Sequence, residues 1–272
     1  MTNHENMSGV YVPVTGIEYP EQPDQPILFP KKLRAVVLDE HYPYLDKSFL
    51  ARLRHIAIYL GIFVLVFPVQ KIRYGLKIVG RENIRKNKRL FRNGAMTVCN
   101  HVYRWDFLAV VQAVKWRRLW FPARPDNLAG SDAGLIRGAG GIPIPEGLAA
   151  GRKFNQAFDE LHRRKKWLHV FPESCRWDFY QPIRPFKKGA FTMAIRYQIP
   201  VLPLVITYRE ATGIRRLLGT KHPLITIHIG EPLVPAPELS RKEATSWLLK
   251  ESHAQMCAMA GIKKNCWPAE GD

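Results

Sequence analysis

The stretch Cys99–Phe107, CNHVYRWDF, closes an apolar run with Asn-His and places an acid five residues after the histidine. An imidazole and a carboxylate can work as a pair. The carboxylate holds one ring nitrogen and stabilises the imidazolium, while the other nitrogen takes a proton from a hydroxyl. Spacing sets a condition on this chemistry. In one continuous helix, residues five apart differ by about 140° of rotation, so His101 and Asp106 would point away from each other. With His101 in a turn and Asp106 in the first helical turn, the carboxylate can fold back onto the ring. Ala95–Cys99 reads as a buried strand and Phe107 onward as a helix, which predicts that corner. An isolated H-x4-D is more often a helix-start carboxylate beside a structural histidine, so the pair needs further support. Cys99 reads as a small apolar strand residue rather than an attacking thiolate.

Three other segments carry chemistry. In HVFPESCRWDF a strand ends at Phe171 and is followed by Glu173 and Arg176, at the kind of sheet edge where open α/β folds bind ligands. In RPFKKGAFTMAI, Lys187 and Lys188 precede Gly189 and a helical run. Helix-start amides with cations beside them suit a phosphate. IPVLPLVI is a core strand opened by Pro200.

These residues need elements to position them. Short apolar runs predict strands at Leu76–Val79, Ala95–Cys99, Leu119–Phe121, Gly141–Ile144, Trp167–Phe171, Val201–Thr207 and Leu224–Ile229. Helical patterns fall near 105–116, 127–137, 147–165, 187–197 and 238–260. The alternation predicts an α/β fold: a single domain with a mixed, largely parallel central sheet flanked by helices. Residues 1–47 hold Pro13, Pro20, Pro23, Pro26, Pro30 and Pro43 and read as an extended arm over the body or partly disordered. Residues 261–272 read as a loose tail.

Residues 48–74 are different in kind. His55 to Gln70 is a run of sixteen residues without Lys, Arg, Asp or Glu, flanked by Arg52 and Arg54 before and Lys71 and Arg73 after. A helix of that length spans about 24 Å, short of the roughly 30 Å hydrocarbon core. Basic residues at both ends also run against the one-sided excess of a crossing helix. The segment is expected to be an apolar membrane-anchoring helix lying in the membrane surface, with a buried core helix as the alternative.

The chain has 41 Lys+Arg against 23 Asp+Glu, a formal charge of +18, which calls for a polyanionic partner. Nucleic acid is not expected, because no recognition-helix or aromatic RNA-binding signature is present and the basic residues are spread throughout. An anionic phospholipid membrane and phosphorylated substrates remain. The run RRKK at 163–166, between His162 and His169, reads as a solvated face. Trp116 and Trp120 with Arg117 and Arg118 suit either a membrane interface or a helix–strand gap. Four cysteines without CxxC or zinc-type Cys/His spacing predict free thiols in a reducing compartment and no metal. The first residues lack the layout of a secretory signal, so the expected location is the cytoplasmic face of a membrane.

Taken in order, Asn100-His101 with Asp106, GGIPI at 140–144, FPESCR at 171–176 with the FKKG extension at 186–189, and IPVLP at 199–203 resemble the glycerolipid acyltransferase superfamily. Among its branches the chain most resembles the 1-acylglycerol-3-phosphate (lysophosphatidate) acyltransferases. The resemblance covers roughly residues 76–230 and implies a catalytic domain over 75–260. It implies transfer of a fatty acyl group from a thioester donor, acyl-CoA or acyl carrier protein, to a lysophospholipid hydroxyl, giving phosphatidate without a cofactor. It implies His101 as general base with Asp106 as its partner, and Glu173, Arg176, Arg124 and Lys187 around the acceptor, with Arg176 on its phosphate. Two departures stand out. The third block usually reads F-P-E-G-T-R, and here Ser174 and Cys175 replace Gly-Thr. The second block usually ends in an acid and an arginine, where this chain has Pro145 and Glu146, leaving Arg137 or Arg152 as substitutes.

Overall fold

The computed structural model describes residues 10–28, 36–115, 117–217 and 222–270. Side chains alternate along the strands and so sort the apolar residues onto two faces of one sheet. Met96 and Val98 look toward one cluster with Leu168, Val201 and Val205, while Ala95 and Cys99 look toward the other with Leu202, Leu204 and Ile206. Helices must cover both faces, and they do.

The elements run α1 (Phe49–Ile72), β1 (Lys77–Val79), α2 (Arg81–Lys86), β2 (Met96–Cys99), α3 (Asp106–Ala113) and β3 (Leu119–Ala123). They continue with α4 (Pro125–Ala129), α5 (Ala133–Ala139), β4 (Gly141–Pro143), α6 (Leu148–Arg163) and β5 (Trp167–Val170). The remainder is α7 (Gly189–Tyr197), β6 (Val201–Arg209), α8 (Ile214–Leu217), β7 (Leu224–Ile229) and α9 (Arg241–Ala260). The seven strands lie in the order β1-β7-β6-β2-β5-β3-β4. All neighbours are parallel except β6 and β7. The mixed, largely parallel sheet expected from the sequence is what forms. The C-terminal ends of β2, β3, β4, β5 and β6 therefore share one edge, and their N-terminal ends share the other.

Helix α1 has a particular construction. It contains a π turn at Ile62–Val66. In an unbroken α-helix Phe67 would sit about 140° around the axis from Ile62; the residue absorbed by a π turn brings it back to about 40°. His55, Ile62, Phe67 and Gln70 are consequently all buried against the body. The opposite side presents Phe49, Leu53, Ile56, Leu60, Val64 and Ile72 to the outside, each 47–80 % exposed. Tyr59 donates to the Ala139 carbonyl and accepts from the Leu119 N–H, and Gly138 leaves room for the Ile58 side chain where a Cβ would collide. At the far end the Arg215 guanidinium donates to the carbonyls of Lys71, Ile72 and Arg73, satisfying groups a helix end leaves open.

Several expectations are revised. The helix expected near 127–137 is two, α4 and α5, separated at Gly130. Helices α2 and α8 are too short to show a period in sequence. The tail is fastened through Glu270 rather than loose: Asn265 bonds both backbone groups of Ile183, Trp267 donates to Tyr180, and Phe186 bridges to Glu270. Across its described residues the arm carries no helix or strand and is pinned over the segment after β5. There Tyr19 stacks on Trp177 and the Gln25 carbonyl accepts from the Trp177 indole. Trp116 lies outside the described residues, as do Pro30 and positions 271–272.

Candidate active site

At the end of β2 the chain leaves the sheet, and Asn100 covers the break. Its fully buried amide donates to the Ile206 carbonyl at 3.0 Å and accepts the Ile206 N–H at 2.8 Å, extending the ladder to β6 by one side chain. The next residue is held from three sides. The His101 N–H donates to Glu173 Oε2 at 2.9 Å, its carbonyl accepts the Trp177 N–H at 2.9 Å, and its ring stacks on Phe171 with centroids 4.1 Å apart.

His101 Nδ1 lies 2.5 Å from Asp106 Oδ2. Asp106 begins α3, is 2 % exposed, and its other oxygen accepts the Phe107 N–H at 2.7 Å. The turn-then-helix geometry brings the two side chains together where a continuous helix would part them. The carboxylate fixes the near nitrogen and leaves Nε2 for another partner, and the His101 side chain is 23 % exposed. Behind the ring, His169 is completely buried and bonded to Thr97.

Glu173 is fully enclosed and lies against the His101 backbone. It accepts the His101 N–H, the Arg184 N–H at 2.9 Å and Arg184 Nη2 at 2.9 Å. Arg184 was not anticipated from the sequence. It is 0 % exposed, lies over the Trp177 ring at 4.4 Å and also donates to the carbonyls of Cys175 and Pro23. A charge alone between Pro182 and Pro185 in an apolar stretch was the available signal. Where the family's third block has glycine, Ser174 adopts a left-handed φ of 66°, the region glycine favours.

The remaining expected cations are placed as follows. Arg176 pairs with Asp178 at 2.9 Å beside the site. Arg124 follows β3 on the same edge as His101, exposed and 3.5 Å from Asp126. Lys187 reaches Asp24 of the arm at 2.9 Å, and Lys188 pairs with Glu270, so the cradle expected at the start of α7 has its lysines on carboxylates from the two chain ends. Arg137 does not stand in for the second-block arginine. It sits at the opposite edge, on the carbonyls of Pro43, Tyr44 and Gly141. Arg152, exposed on the first turn of α6, is on the His101 edge. So is Arg104, exposed inside the motif itself and lying over Trp105 at 5.2 Å.

Electrostatics sort the nearby titratable groups. Burial pushes the Cys99 thiol well up, which leaves it protonated and unreactive, as its sequence context suggested. Burial also raises the Asp178 carboxyl, an effect that Arg176 opposes. Burial, helped by the charge of His101, pushes His169 down to about 3, so the fold holds it neutral. The unfolded chain binds its proton near pH 6.5. Between those values the unfolded state carries the extra proton, so stability is complete above about pH 6.5 and falls as pH drops toward 3. The expected loss from this group is about 2 kcal/mol at pH 5. Urea unfolding at pH 7 and pH 5 measures it, with a His169→Phe variant showing a correspondingly flatter profile.

Comparison with known proteins adds the following. Residues 75–207 match the acyltransferase family. Over 52 residues the chain is 46 % identical to acl-2 of Caenorhabditis elegans, a protein whose name assigns it to the 1-acyl-sn-glycerol-3-phosphate acyltransferases. That stretch is 19 % of this chain and 18 % of the relative, so the chain spans less than a fifth of that relative's length. The crystal structure of the 1-acyl-sn-glycerophosphate (LPA) acyltransferase PlsC from Thermotoga maritima aligns at 18 % identity with a TM-score of 0.48. The alignment covers 79 % of this chain and 100 % of that one.

Proposed function

We propose that residues 75–207, which match the acyltransferase family, form a glycerolipid acyltransferase domain, and that the protein acylates the free hydroxyl of 1-acylglycerol 3-phosphate, producing phosphatidate at a membrane surface. The observation that carries the reading is the His101 Nδ1–Asp106 Oδ2 contact of 2.5 Å on a side chain that is 23 % exposed. In this reaction Nε2 takes the hydroxyl proton as the oxygen attacks the thioester carbonyl. The C–O bond forms, the C–S bond breaks, and the imidazolium returns its proton to the departing thiolate. Asp106 stabilises that imidazolium, and no acyl-enzyme is formed. The thioester is already activated, so positioning and one base suffice in kind. Glu173 is then a positioning residue acting through the His101 backbone. Arg176, with Arg104, Arg124 and Arg152 on the same edge, supplies the positive field for the acceptor phosphate; Lys187 lies further out, against the arm.

The construction of α1 supports contact with the bilayer from the side. Among the described residues it is the helix long and apolar enough to cross a membrane. Yet it is docked along the body from Tyr59 on Leu119 to Gln70 on the Trp105 carbonyl. A crossing helix would have to carry the sheet with it, whereas an in-plane helix buries only the exposed apolar side. That orientation sets the end of α1 beside Trp105, so an acyl tail in the bilayer and a head group at His101 belong to one lipid. Leu53→Glu with Leu60→Glu is expected to weaken vesicle binding on the order of a hundred-fold, since two leucines lose their burial in lipid. The same change should leave thermal unfolding near wild type; unchanged flotation would rule out this face as the contact.

An acceptor panel tests the substrate. Lysophosphatidate should be used well ahead of monoacylglycerol, which lacks the phosphate, and of glycerol 3-phosphate, which lacks the first acyl chain. Running each with acyl-CoA and with acyl carrier protein thioester identifies the donor. Equal use of monoacylglycerol would contradict the phosphate-binding assignment.

A further inference from the structure

A second cleft lies at the other edge of the sheet, about one strand length, roughly 15 Å, from the catalytic corner. It has a volume of about 240 Å³ and is walled by the N-terminal turns of α1 and by residues at the starts of β3, β4 and β5. Arg52, Arg54, Arg118, Arg137 and Lys166 all line it, and Asp46, whose carboxyl feels the charges of Arg54 and Arg137, is the acid on the wall. None of these five makes an ion pair with a carboxylate among the described residues, whereas Lys47 and Arg164, also on the wall, share Glu160. Two polar ring atoms on the wall are buried without a hydrogen-bond partner, His55 Nε2 and Trp120 Nε1. The His55 residue is 7 % exposed and its ring stacks on Trp120 at 5.2 Å. Burial, with smaller contributions from the charges of Arg118 and Lys166, lowers the His55 pKa.

We infer that this cleft binds the phosphate of an anionic phospholipid, as a site separate from the one that holds the acceptor. Five cations set against one wall carboxylate, Asp46, with an indole N–H lacking an acceptor, call for an anion with several oxygens. The place of the cleft selects the lipid over a soluble anion. Ala51, Arg52, Arg54 and His55 face the cleft, while Phe49, Leu50, Leu53 and Ile56 of the same turns are exposed outward. A head group in the cleft therefore sets its acyl chains along the apolar side of α1. Because α1 runs from this cleft to Trp105, a lipid here fixes the start of the helix in the membrane plane and with it the catalytic corner at the other end. The inference rests on the bilayer contact of α1 and is independent of the reaction at His101.

The test uses the full chain carrying Arg54→Gln, Arg118→Gln and Lys166→Gln together. As a control for charge alone, Arg241→Gln, Lys242→Gln and Lys250→Gln remove three exposed cations from α9. Flotation with phosphatidylglycerol vesicles should weaken on the order of a hundred-fold for the cleft variant and little for the control. Vesicles of phosphatidylcholine alone should bind all three proteins equally weakly, and turnover in detergent micelles should match wild type. Glycerol 3-phosphate at millimolar concentration should leave flotation of the wild type unchanged. Equal losses in both variants, or no loss in the cleft variant, would overturn the site. Displacement by glycerol 3-phosphate would reassign it to a soluble phosphate. Loss of detergent turnover in the cleft variant would show that the cleft is not separate from the catalytic site.

Discussion

His101→Ala is expected to reduce turnover by about 10²–10⁴-fold with little change in KM, because a base acts as the proton moves and contributes little to holding the substrates. The fold should tolerate the change: the backbone contacts of His101 to Glu173 and Trp177 do not involve its side chain. Asp106→Asn tests the pair differently. The amide can occupy the same place 2.5 Å from Nδ1, but it cannot stabilise an imidazolium. Turnover should fall nearly as far as in His101→Ala, and the double variant should be little worse than either single one, since the two side chains act as a unit. Steady-state thiol release with saturating lysolipid measures all three. Full turnover in either single variant would remove the proposed base.

The second large effect is on stability. Glu173 and Arg184 have no exposed side-chain surface and meet at 2.9 Å. Glu173→Gln or Arg184→Met leaves the other charge buried without its counter-ion, at a cost of about 3–5 kcal/mol. For a chain of this size that is a drop in Tm of roughly 10 °C or more. Replacing both at once, Glu173→Leu with Arg184→Met, should recover much of the loss, because a buried ion pair is worth little over an apolar pair of similar volume. Activity should not recover with it. Glu173 also accepts the His101 N–H, and a leucine cannot. Thermal unfolding and turnover of the three variants separate support of the fold from positioning of the base; recovery of both together would deny Glu173 its positioning part.

What could be read from the sequence follows the range of the forces involved. Strands were legible because helices cover both faces of the sheet, so a strand reads as a short continuous apolar run, as at Ala95–Cys99. The His101–Asp106 corner was legible because both partners lie within one turn and one helix start. Partners supplied from far along the chain were not. Nothing near Lys187 announces Asp24, 163 residues earlier, and nothing near Ile183 announces Asn265. Arg184 was hidden for the same reason: its environment is made jointly by the arm, the segment after β5 and Glu173. The uncharged run of α1 was plain, but not its re-phasing at Ile62–Val66, which depends on the body against which Phe67 and Gln70 dock. The cleft at the other edge likewise gathers its five cations from four separate segments, each unremarkable alone.

The most direct measurement is thiol release from an acyl thioester by the purified protein, followed with and without lysophosphatidate while phosphatidate is quantified in the same samples. Direct attack assisted by His101 requires release that depends on the acceptor, with one phosphatidate formed per thiol and no acylated protein. Thiol release that proceeds without acceptor and leaves the acyl group on the chain, or no release above background, would contradict it.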